Sequence, residues 1–305
     1  MMRMKRVLVV LNPVAGKGNG VRNLSGIVSV LQDGNCIPIV LVTKKHDDAR
    51  QFAHRYGGCV DIVVCVGGDG TFSEILSGMI EGQHKSPVGY LPTGSTNDYA
   101  RSLDLSHDIL VAAHNITVGQ PQMFDVGSFN GKPFSYVAAF GALAKVAYST
   151  SQRLKNIFGH YAYFLKGAWD LLSLRAEHVA VKVDEEYIEG DFILGIVSNS
   201  TSIGGILHYK TSDVCMNDGQ FEIMLIKPPD SAVALAKILY ALAAHSSKQC
   251  HHIVFRRCKT LSVEFDRPVP WTLDGEYLPD CRTAEIRSIQ KAIQIITPSK
   301  KDDLQ

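Results

Sequence analysis

Residues 63–74 read VVCVGGDGTFSE, a short apolar run that leads directly into three glycines around one aspartate. The run at 62–66 is entirely apolar and rich in β-branched residues, which predicts a parallel strand buried on both faces. The four residues after the glycines, TFSE at 71–74, fit a capping box and predict a helix that begins at Thr71. The glycines therefore lie in a strand-to-helix turn.

This turn has the features of a phosphate site. Glycine permits positive φ and lets backbone N–H groups approach a ligand, while a helix N-terminus favours an anion. Asp69 would repel a polyphosphate unless a cation or a hydroxyl lies between them. We therefore expect Asp69 to hold Mg²⁺ through water or to accept a hydrogen bond from a ribose. A glycine-rich turn alone is also a common plain turn, so other loops must support this interpretation.

Three other loops give that support. Apolar runs at 7–11, 37–42 and 88–91 are followed by NPVAGKG at 12–18, by Thr43 and by PTGSTND at 92–98. Segments with helical patterning separate the runs, at 20–32, 47–56, 71–81 and 95–103. This alternation predicts an open parallel α/β sheet, whose carboxyl edge is where such folds bind ligands. One nucleotide crevice at that edge explains all four loops.

Two common nucleotide motifs do not fit these loops. A P-loop requires Ser or Thr after its lysine, but Lys17 is followed by Gly18. A dinucleotide fingerprint that begins at Gly16 would need a third glycine where Val21 stands. The predicted crevice therefore belongs to neither of these folds.

After Gln120 the pattern changes to short strand-like runs separated by polar turns, such as NG at 130–131 and DG at 274–275. These are hairpin signals and predict a second, mostly antiparallel β domain. Helices are predicted within it at 155–174 and 231–244.

Composition limits the remaining function classes. The chain has 31 basic and 30 acidic residues, so no overall charge attracts nucleic acid. Its seven cysteines show no CxxC spacing, which argues against a zinc site and fits a reducing cytoplasm. The first apolar run ends at Asn12, and the run at 232–244 is too short for a span, so we expect a soluble cytoplasmic protein.

With these loops and turns, the chain resembles the diacylglycerol kinase catalytic-domain family of lipid kinases, and most closely its soluble bacterial diacylglycerol kinases. Six motifs in the family's order carry the resemblance: NPVAGKG (12–18), GGDGT (67–71), PTGSTND (92–98), SIGG (202–205), NDGQFE (217–222) and DGE (274–276). They extend over nearly the whole chain, although GGDGT alone is shared with NAD kinases.

The resemblance implies an N-terminal α/β nucleotide domain, at 1–122 plus 292–305, and a C-terminal β-sandwich lipid-acceptor domain at 123–291. It also implies Mg-dependent transfer of a phosphoryl group from ATP to a lipid hydroxyl in the cleft between the domains. The nucleotide or its metal would contact Asn12, Thr43, Gly67, Gly68, Asp69, Gly70, Thr71, Gly94, Thr96, Asn97 and Asp98. Asp274 would accept the hydroxyl proton, with Glu276 beside it.

A second, structural Mg²⁺ is implied near the turn at 217–219, bound by the Asp218 carboxylate and the backbone carbonyls of Cys215 and Gln220. Many members have two aspartates where this chain has Asn217 and Asp218, so a plain turn remains the alternative. Asp274 likewise fits an ordinary Asp-Gly hairpin turn, and Asp98 fits a helix start.

The expected activity is phosphorylation of diacylglycerol to phosphatidic acid. An NAD kinase and a catalytically silent nucleotide-binding regulator are the alternatives, although Asp69, Asp98 and Asp274 are all present. The aromatic segment at 155–174, flanked by Arg153 and Arg175, suits either an interfacial helix that contacts a membrane reversibly or a helix packed on the β domain. The sequence leaves the lipid acceptor open, and leaves open whether the protein is a homodimer.

Overall fold

The protein is described by a computed structural model, which covers residues 3–141, 175–205, 207–209, 214–244 and 246–298. The chain forms two compact units, the first of Met1–Val126 with Gln290–Gln305 and the second of Gly127–Ile289. The expected domain boundaries, after 122 and after 291, lie close to these divisions. The roles assigned to the two domains remain predictions.

The first unit contains a parallel sheet. Its strands are β1 (Lys5–Leu11), β2 (Cys36–Val42), β3 (Ile62–Gly67) and β4 (Val88–Pro92). They lie in the order β2-β1-β3-β4, and each neighbouring pair is parallel. The final strand of the chain joins the same sheet, because Ile295 pairs in parallel with Val88. The predicted open parallel sheet is confirmed, and the last strand returns to this unit as the resemblance implied.

Six helices connect and cover these strands: α1 (Asn19–Arg22), α2 (Leu24–Asp33), α3 (Asp48–Tyr56), α4 (Asp69–Glu81), α5 (Asp98–Ser102) and α6 (Ile109–Val118). Every residue of β3 is buried, as a continuous apolar run in a covered strand requires. One face of the sheet, represented by Val9 and Val64, packs against Ile27 of α2 and Ala113 of α6.

The second unit is mainly antiparallel. Its strands are β5 (Gln120–Phe129), β6 (Lys132–Phe134), β7 (Val137–Gly141), β8 (Glu177–Val183), β9 (Glu186–Phe192), β10 (Leu194–Ser198), β11 (Ser202–Ile203), β12 (Leu207–His208), β13 (Phe221–Ile226), β14 (Ile253–Cys258), β15 (Thr260–Leu273) and β16 (Glu276–Thr297). Here β5 begins, and β16 ends, in the first unit. The main strand order within the second unit is β14-β13-β10-β7-β15-β16, with β8 and β9 added beside β15.

The core of the second unit centres on Trp271, which is fully buried. The rings of Phe140 and Phe265 lie 5.1 and 6.1 Å from it, measured between ring centroids, and Phe129 meets it edge-on at 4.8 Å. Strand β8 alternates buried and more exposed residues, the period-2 pattern of a strand with one covered face. The hairpins predicted at residues 130–131 and 274–275 are both present.

Several predicted helices have different bounds. The segment 20–32 forms two helices, divided at Asn23, and the segment 95–103 is helical only over Asp98–Ser102. The segment 231–244 contains α7 (Ala232–Ala243). The helix predicted at 155–174 falls outside the described residues.

Candidate active site

Four loops meet at the carboxyl edge of the parallel sheet. The strand ends are level, because Leu11 pairs with both Val42 and Val66, and Gly67 pairs with Pro92. The segments that follow β1, β2, β3 and β4 therefore leave the sheet side by side. These segments contain every residue that the resemblance assigned to the nucleotide or its metal.

Asn12 joins the first loop to the third. Its side-chain amide donates a hydrogen bond to Thr71 Oγ1 at 2.8 Å, and its side-chain oxygen accepts one from Val14 N at 3.1 Å. The neighbouring strand end is Thr43, whose backbone N–H donates to Leu11 O at 2.9 Å. Asn12, Thr43 and Thr71 are thus fixed at one edge of the sheet.

Gly16 brings the first loop against the fourth. Its φ is +53°, in the left-handed region that favours glycine. A Cβ atom at this position would lie only 1.8 Å from the backbone oxygen of Thr93. No residue other than glycine fits without moving one of the two loops.

The third loop differs from its prediction, because α4 begins at Asp69 and not at Thr71. Gly68, in an extended conformation, is the residue before the helix, and no side chain caps its N-terminus. The predicted capping box is therefore wrong. Thr71 Oγ1 instead accepts the bond from Asn12, and the Glu74 carboxylate accepts bonds from the backbone N–H groups of Asp47 and Ala49, at 3.1 and 3.2 Å. Glu74 thereby holds the start of α3 beside the second loop.

Asp69 connects the third loop to the fourth. Its carboxylate accepts hydrogen bonds from the backbone N–H groups of Asp98 and Tyr99, at 3.0 and 3.1 Å, and from Thr96 Oγ1 at 3.3 Å. Burial, followed by the negative charge of Asp98, raises the pKa of Asp69 from 3.8 to about 6, and these hydrogen bonds offset only part of the rise. Two crowded carboxylates are a site where a cation would be stabilised.

The donor set at this position fits Mg²⁺. Carboxylate oxygens are hard ligands, and Mg²⁺ in phosphoryl-transfer sites is held by one or two carboxylates together with phosphate oxygens. Asp98 is almost fully buried at the start of α5, its backbone N–H donates to the Asp69 carboxylate at 3.0 Å, and its charge contributes to the raised pKa of Asp69. The two aspartates predicted from the sequence are therefore brought together.

Asn97 shapes the fourth loop from within. It adopts φ +50°, its side-chain oxygen accepts a bond from Gly94 N at 2.8 Å, and its amide donates to Gly94 O at 3.1 Å. Gly94 in turn faces Gly68, since a Cβ on Gly94 would lie 2.6 Å from the Gly68 Cα. Gly70 differs from both, because a Cβ there would meet nothing within 4 Å. The glycine contacts hold the third and fourth loops together.

A cavity of about 340 Å³ lies beside these loops in the first unit, and it is strongly polar. Residues of the first and fourth loops and Asn19 line part of this cavity. The rest of its wall is formed by Arg22, Arg101 and His107. Arg22 is anchored by a 2.8 Å hydrogen bond to Lys17 O. Sequence reasoning missed these three because none belongs to a motif, although Arg101 lies one helical turn after Asp98. Their cationic or titratable side chains suit an anionic ligand.

Asp274 lies in the second unit, in the turn between β15 and β16, with φ +50°. One carboxylate oxygen accepts bonds from Ser135 N at 2.6 Å and Ser135 Oγ at 2.8 Å. The other accepts bonds from Tyr136 N at 3.0 Å and Val137 N at 3.1 Å. The side chain is 8% exposed. It is held firmly against the chain between β6 and β7, and the half-buried Glu276 begins the next strand.

At the turn predicted to hold a structural metal, the cationic side chain of Arg257, from β14, contacts the predicted ligand Asp218. One oxygen of Asp218 accepts a bond from Gln220 N at 3.0 Å, and the other contacts the guanidinium of Arg257. Arg257 Nε also lies 3.3 Å from the carboxylate of Glu222, whose pKa is raised to about 8 by burial despite that charge. Cys215 Sγ donates to the side-chain oxygen of Asn217 at 3.2 Å. Any metal here would share Asp218 with Arg257.

Two further observations concern membrane contact. The basic-aromatic segment predicted as an interfacial helix lies outside the described residues. Among the residues the structure does describe, no helix has the length and apolarity needed to cross a bilayer.

Comparison with known proteins identifies the family of this chain. Residues 6–129 match the model of the diacylglycerol kinase catalytic domain. Residues 136–297 match the model of the YegS C-terminal NAD kinase beta sandwich-like domain. The chain belongs to the diacylglycerol kinase catalytic-domain family. The second match confirms the predicted β-sandwich, and membership of this family makes the protein a lipid kinase.

The sequences of individual relatives match this chain over nearly their full lengths. The diacylglycerol kinase of Bacillus subtilis is 29% identical over 304 residues, which cover 98% of each chain. That of Staphylococcus saprophyticus is 29% identical over 300 residues, covering 97% of this chain and 96% of the relative. A crystal structure of a diacylglycerol kinase from Bacillus anthracis aligns with a TM-score of 0.74 at 22% identity, over 97% of this chain and 98% of that one. This structural likeness supports the fold alone.

Proposed function

We propose that this lipid kinase transfers the γ-phosphoryl group of ATP to the free hydroxyl of diacylglycerol, producing phosphatidic acid, with Mg²⁺ as cofactor. The observation that carries the proposal is the loop cluster at the carboxyl edge of the parallel sheet, where the Asp69 carboxylate accepts a hydrogen bond from Asp98 N. Beside this cluster lies the polar cavity, which is lined by glycines of the first and fourth loops and by Arg22 and Arg101. The names of the relatives support the choice of diacylglycerol as acceptor.

The nucleotide would bind at the four loops. Phosphoryl transfer depends mainly on positioning and on neutralisation of charge. Backbone N–H groups of the glycine loops would approach the phosphates, and Arg22 and Arg101 would add positive charge from the cavity wall. Asp69 and Asp98 would hold Mg²⁺, which neutralises phosphate charge when bound. Asn12 and Asn97 would keep these loops in place through the hydrogen bonds that they make.

Asp274 would orient the acceptor hydroxyl and take its proton. The carboxylate oxygen that faces Ser135 receives bonds from both the backbone and the hydroxyl of that serine. The hydroxyl can rotate away and leave the backbone bond in place, which frees an acceptor position for the substrate hydroxyl. Glu276, two residues later, is the next candidate for the base.

Three further features belong to the proposal. A structural Mg²⁺ would use the Asp218 carboxylate with the backbone carbonyls of Cys215 and Gln220, in competition with Arg257. The enzyme would bind membranes reversibly, because its acceptor resides in a bilayer. Its residence would then be the cytoplasm and the membrane surface, either as a monomer or as a homodimer.

The decisive experiment supplies labelled ATP, Mg²⁺ and a mixed lipid extract containing diacylglycerol, sphingoid bases and polyprenols, with NAD in a parallel reaction. We expect labelled phosphatidic acid as the main product. Asp69→Ala should abolish the label, whereas Asp33→Ala, at the exposed end of α2, should not. Labelled NADP, or a labelled lipid other than phosphatidic acid, would contradict the proposed acceptor.

A further inference from the structure

Helix α7, Ala232–Ala243 in the second unit, has an unusual outer face. Its inner face is formed by Ala234, Ile238 and Ala241, which are buried. Ser231 caps its N-terminus by accepting a hydrogen bond from Ala234 N at 3.1 Å. The helix is thus well anchored on one side, and the opposite side faces solvent.

The solvent-facing side is apolar. Val233 is 64% exposed and Tyr240 is 73% exposed, and the exposed residues between and beside them include Ala232, Ala236 and Ala243. A surface helix normally carries charged and polar residues on this side. Helix α3 shows the normal pattern, with exposed Gln51, His54 and Arg55 opposite a buried Ala53. In α7, Lys237 is the only charged residue.

The stretch that begins with α7 is basic, although Asp230 lies directly before it. Residues 231–263 contain five basic residues and no aspartate or glutamate, although the whole chain is nearly neutral. Arg256 and Arg257 pair with Glu186 and Asp218 from other strands. The three lysines of this stretch are Lys237, on the flank of α7, Lys248, in the turn that follows the helix, and Lys259, between β14 and β15.

The turn that carries Lys248 is fixed to the helix end. The backbone N–H of Ser246 donates to Ala241 O at 2.8 Å, and Lys248 Nζ lies 5.2 Å from the centre of the Phe255 ring. An apolar helix face with tyrosine, bordered by lysines, is the composition of a helix that lies in the interface of an anionic bilayer. An exposed apolar face of this kind marks an interaction site.

We propose that α7 docks the enzyme on the surface of an anionic lipid bilayer, with Val233, Ala236 and Tyr240 in the interface and Lys237 and Lys248 at the headgroups. The inference rests on the proposed function, because an enzyme whose acceptor is a membrane lipid must work at the bilayer surface. The charge pattern selects the partner: an anionic surface complements the lysines, whereas a second α7 would place like charges together.

The test compares two double variants by co-sedimentation with vesicles of phosphatidylglycerol and phosphatidylcholine, without ATP. Val233→Glu with Tyr240→Glu replaces the apolar face of α7. Val111→Glu with Val118→Glu is the matched control, because these valines are 50% and 54% exposed on α6 of the first unit. We expect the α7 variant to bind at least about tenfold more weakly than wild type, and the α6 variant to bind normally.

A third variant, Lys237→Glu with Lys248→Glu, tests the electrostatic part. Its binding should weaken at least about fivefold at low salt, and the deficit should shrink at high salt as the charges are screened. Melting curves without lipid check that each variant folds. Vesicle binding by the α7 variant equal to that of wild type, or an equal loss in the α6 control, would overturn the proposal.

Two readouts separate this inference from its alternatives. Sedimentation velocity without lipid tests a second copy of the chain as the occupant: a dimer that dissociates in the α7 variant would overturn bilayer docking. A water-soluble short-chain diacylglycerol tests the chemistry apart from docking. The α7 variant should phosphorylate it at the wild-type rate and lose activity only on vesicle-embedded diacylglycerol. If wild type phosphorylates neither substrate, the proposed acceptor fails while the vesicle-binding result still stands.

Discussion

The two units hold their acidic residues in different ways. At the edge of the parallel sheet, Asp69 lies close to another carboxylate, and its pKa is raised to about 6 by burial and by Asp98. In the second unit, the carboxylates of Asp274 and Asp218 are met by donors from the protein itself. Asp69 also accepts hydrogen bonds from the protein, but they offset only part of the rise in its pKa, so a cation would stabilise this carboxylate further. The contrast separates a site built for a metal and a polyanion from turns held by their own chain.

Asp274 is the residue of the second unit that is proposed to do more than hold its turn. Asp184 is the matched control, because it also adopts a left-handed turn and its carboxylate accepts bonds from Lys259 N, Thr260 N and Thr260 Oγ1. Asp274→Asn and Asp184→Asn should both lower the melting temperature, since an amide cannot accept all of these bonds. Only Asp274→Asn should lower turnover, by about 10²–10⁴-fold, with Mg-ATP affinity kept.

Turnover measured well below each variant's melting temperature, with a saturating acceptor, decides the matter. Equal turnover in the two variants would make Asp274 a structural turn residue and would move the search for the base to Glu276.

The raised pKa of Asp69, caused first by burial and then by the charge of Asp98, should appear as a dependence of stability on pH. A folded-state pKa of about 6, above the ordinary 3.8, means that this group stabilises the fold fully only below about pH 4. That stability is lost as the pH rises through 6, by up to about 3 kcal/mol. Asp69→Asn should remove this component, so the difference in unfolding free energy between wild type and variant should change between pH 4 and 7 in metal-free buffer.

Mg²⁺ should change this pH dependence, because a bound cation favours the ionised carboxylates. Adding Mg²⁺ should therefore flatten the wild-type component and leave the variant unchanged. Denaturant titrations at several pH values measure both effects. Parallel pH profiles for the two proteins would show that the pKa of Asp69 is not raised in the folded state.

Gly16 tests the contact between the first and fourth loops. Gly16→Ala places a methyl group 1.8 Å from Thr93 O, whereas Gly131→Ala has a similar positive φ and meets nothing within 4 Å. Both substitutions carry the cost of a left-handed alanine, so their difference isolates the steric clash. We expect Gly16→Ala to be about 2 kcal/mol less stable than Gly131→Ala and to bind Mg-ATP more weakly. Indistinguishable melting and affinity would remove the loop contact.

The smallest effect concerns the metal proposed at Asp218. A ligand bound only by the folded state raises stability by about 1.4 kcal/mol at ten times its Kd. Asp218→Ala should remove that gain, so its melting deficit should be larger in Mg²⁺ than in chelator. Glu186→Ala is the control, because Glu186 also pairs with an arginine of β14. If the deficit of Asp218→Ala is the same in both buffers, Arg257 is the only cation at this turn.

The sequence predicted the parts of the fold that depend on local pattern. Continuous apolar runs predicted β1 to β4, and glycine-rich segments after them predicted the loop cluster, because both features are set by neighbouring residues. The error at the start of α4 has the opposite cause. Glu74 fits a capping box locally, but its carboxylate is used by Asp47 and Ala49, which lie 27 and 25 positions away along the chain.

The same limit applies to the residues that no motif contained. The donors to Asp274 come from 137 to 139 positions earlier in the chain, and Arg257 reaches Asp218 from 39 positions away. Arg22 and Arg101 line the cavity only because their helices begin at the loop cluster. Pairings of this kind depend on tertiary packing, which periodicity and motif spacing do not encode.

The proposed function requires that the carboxyl edge of the parallel sheet binds Mg-ATP through Asp69. Calorimetric titration of Mg-ATP into wild type, Asp69→Ala and the surface control Asp33→Ala measures it directly, without a lipid acceptor. We expect saturable binding by wild type and Asp33→Ala, and affinity at least about tenfold lower for Asp69→Ala, whose melting curve stays cooperative. Unchanged Mg-ATP affinity in Asp69→Ala would show that the nucleotide and its metal do not bind through this carboxylate.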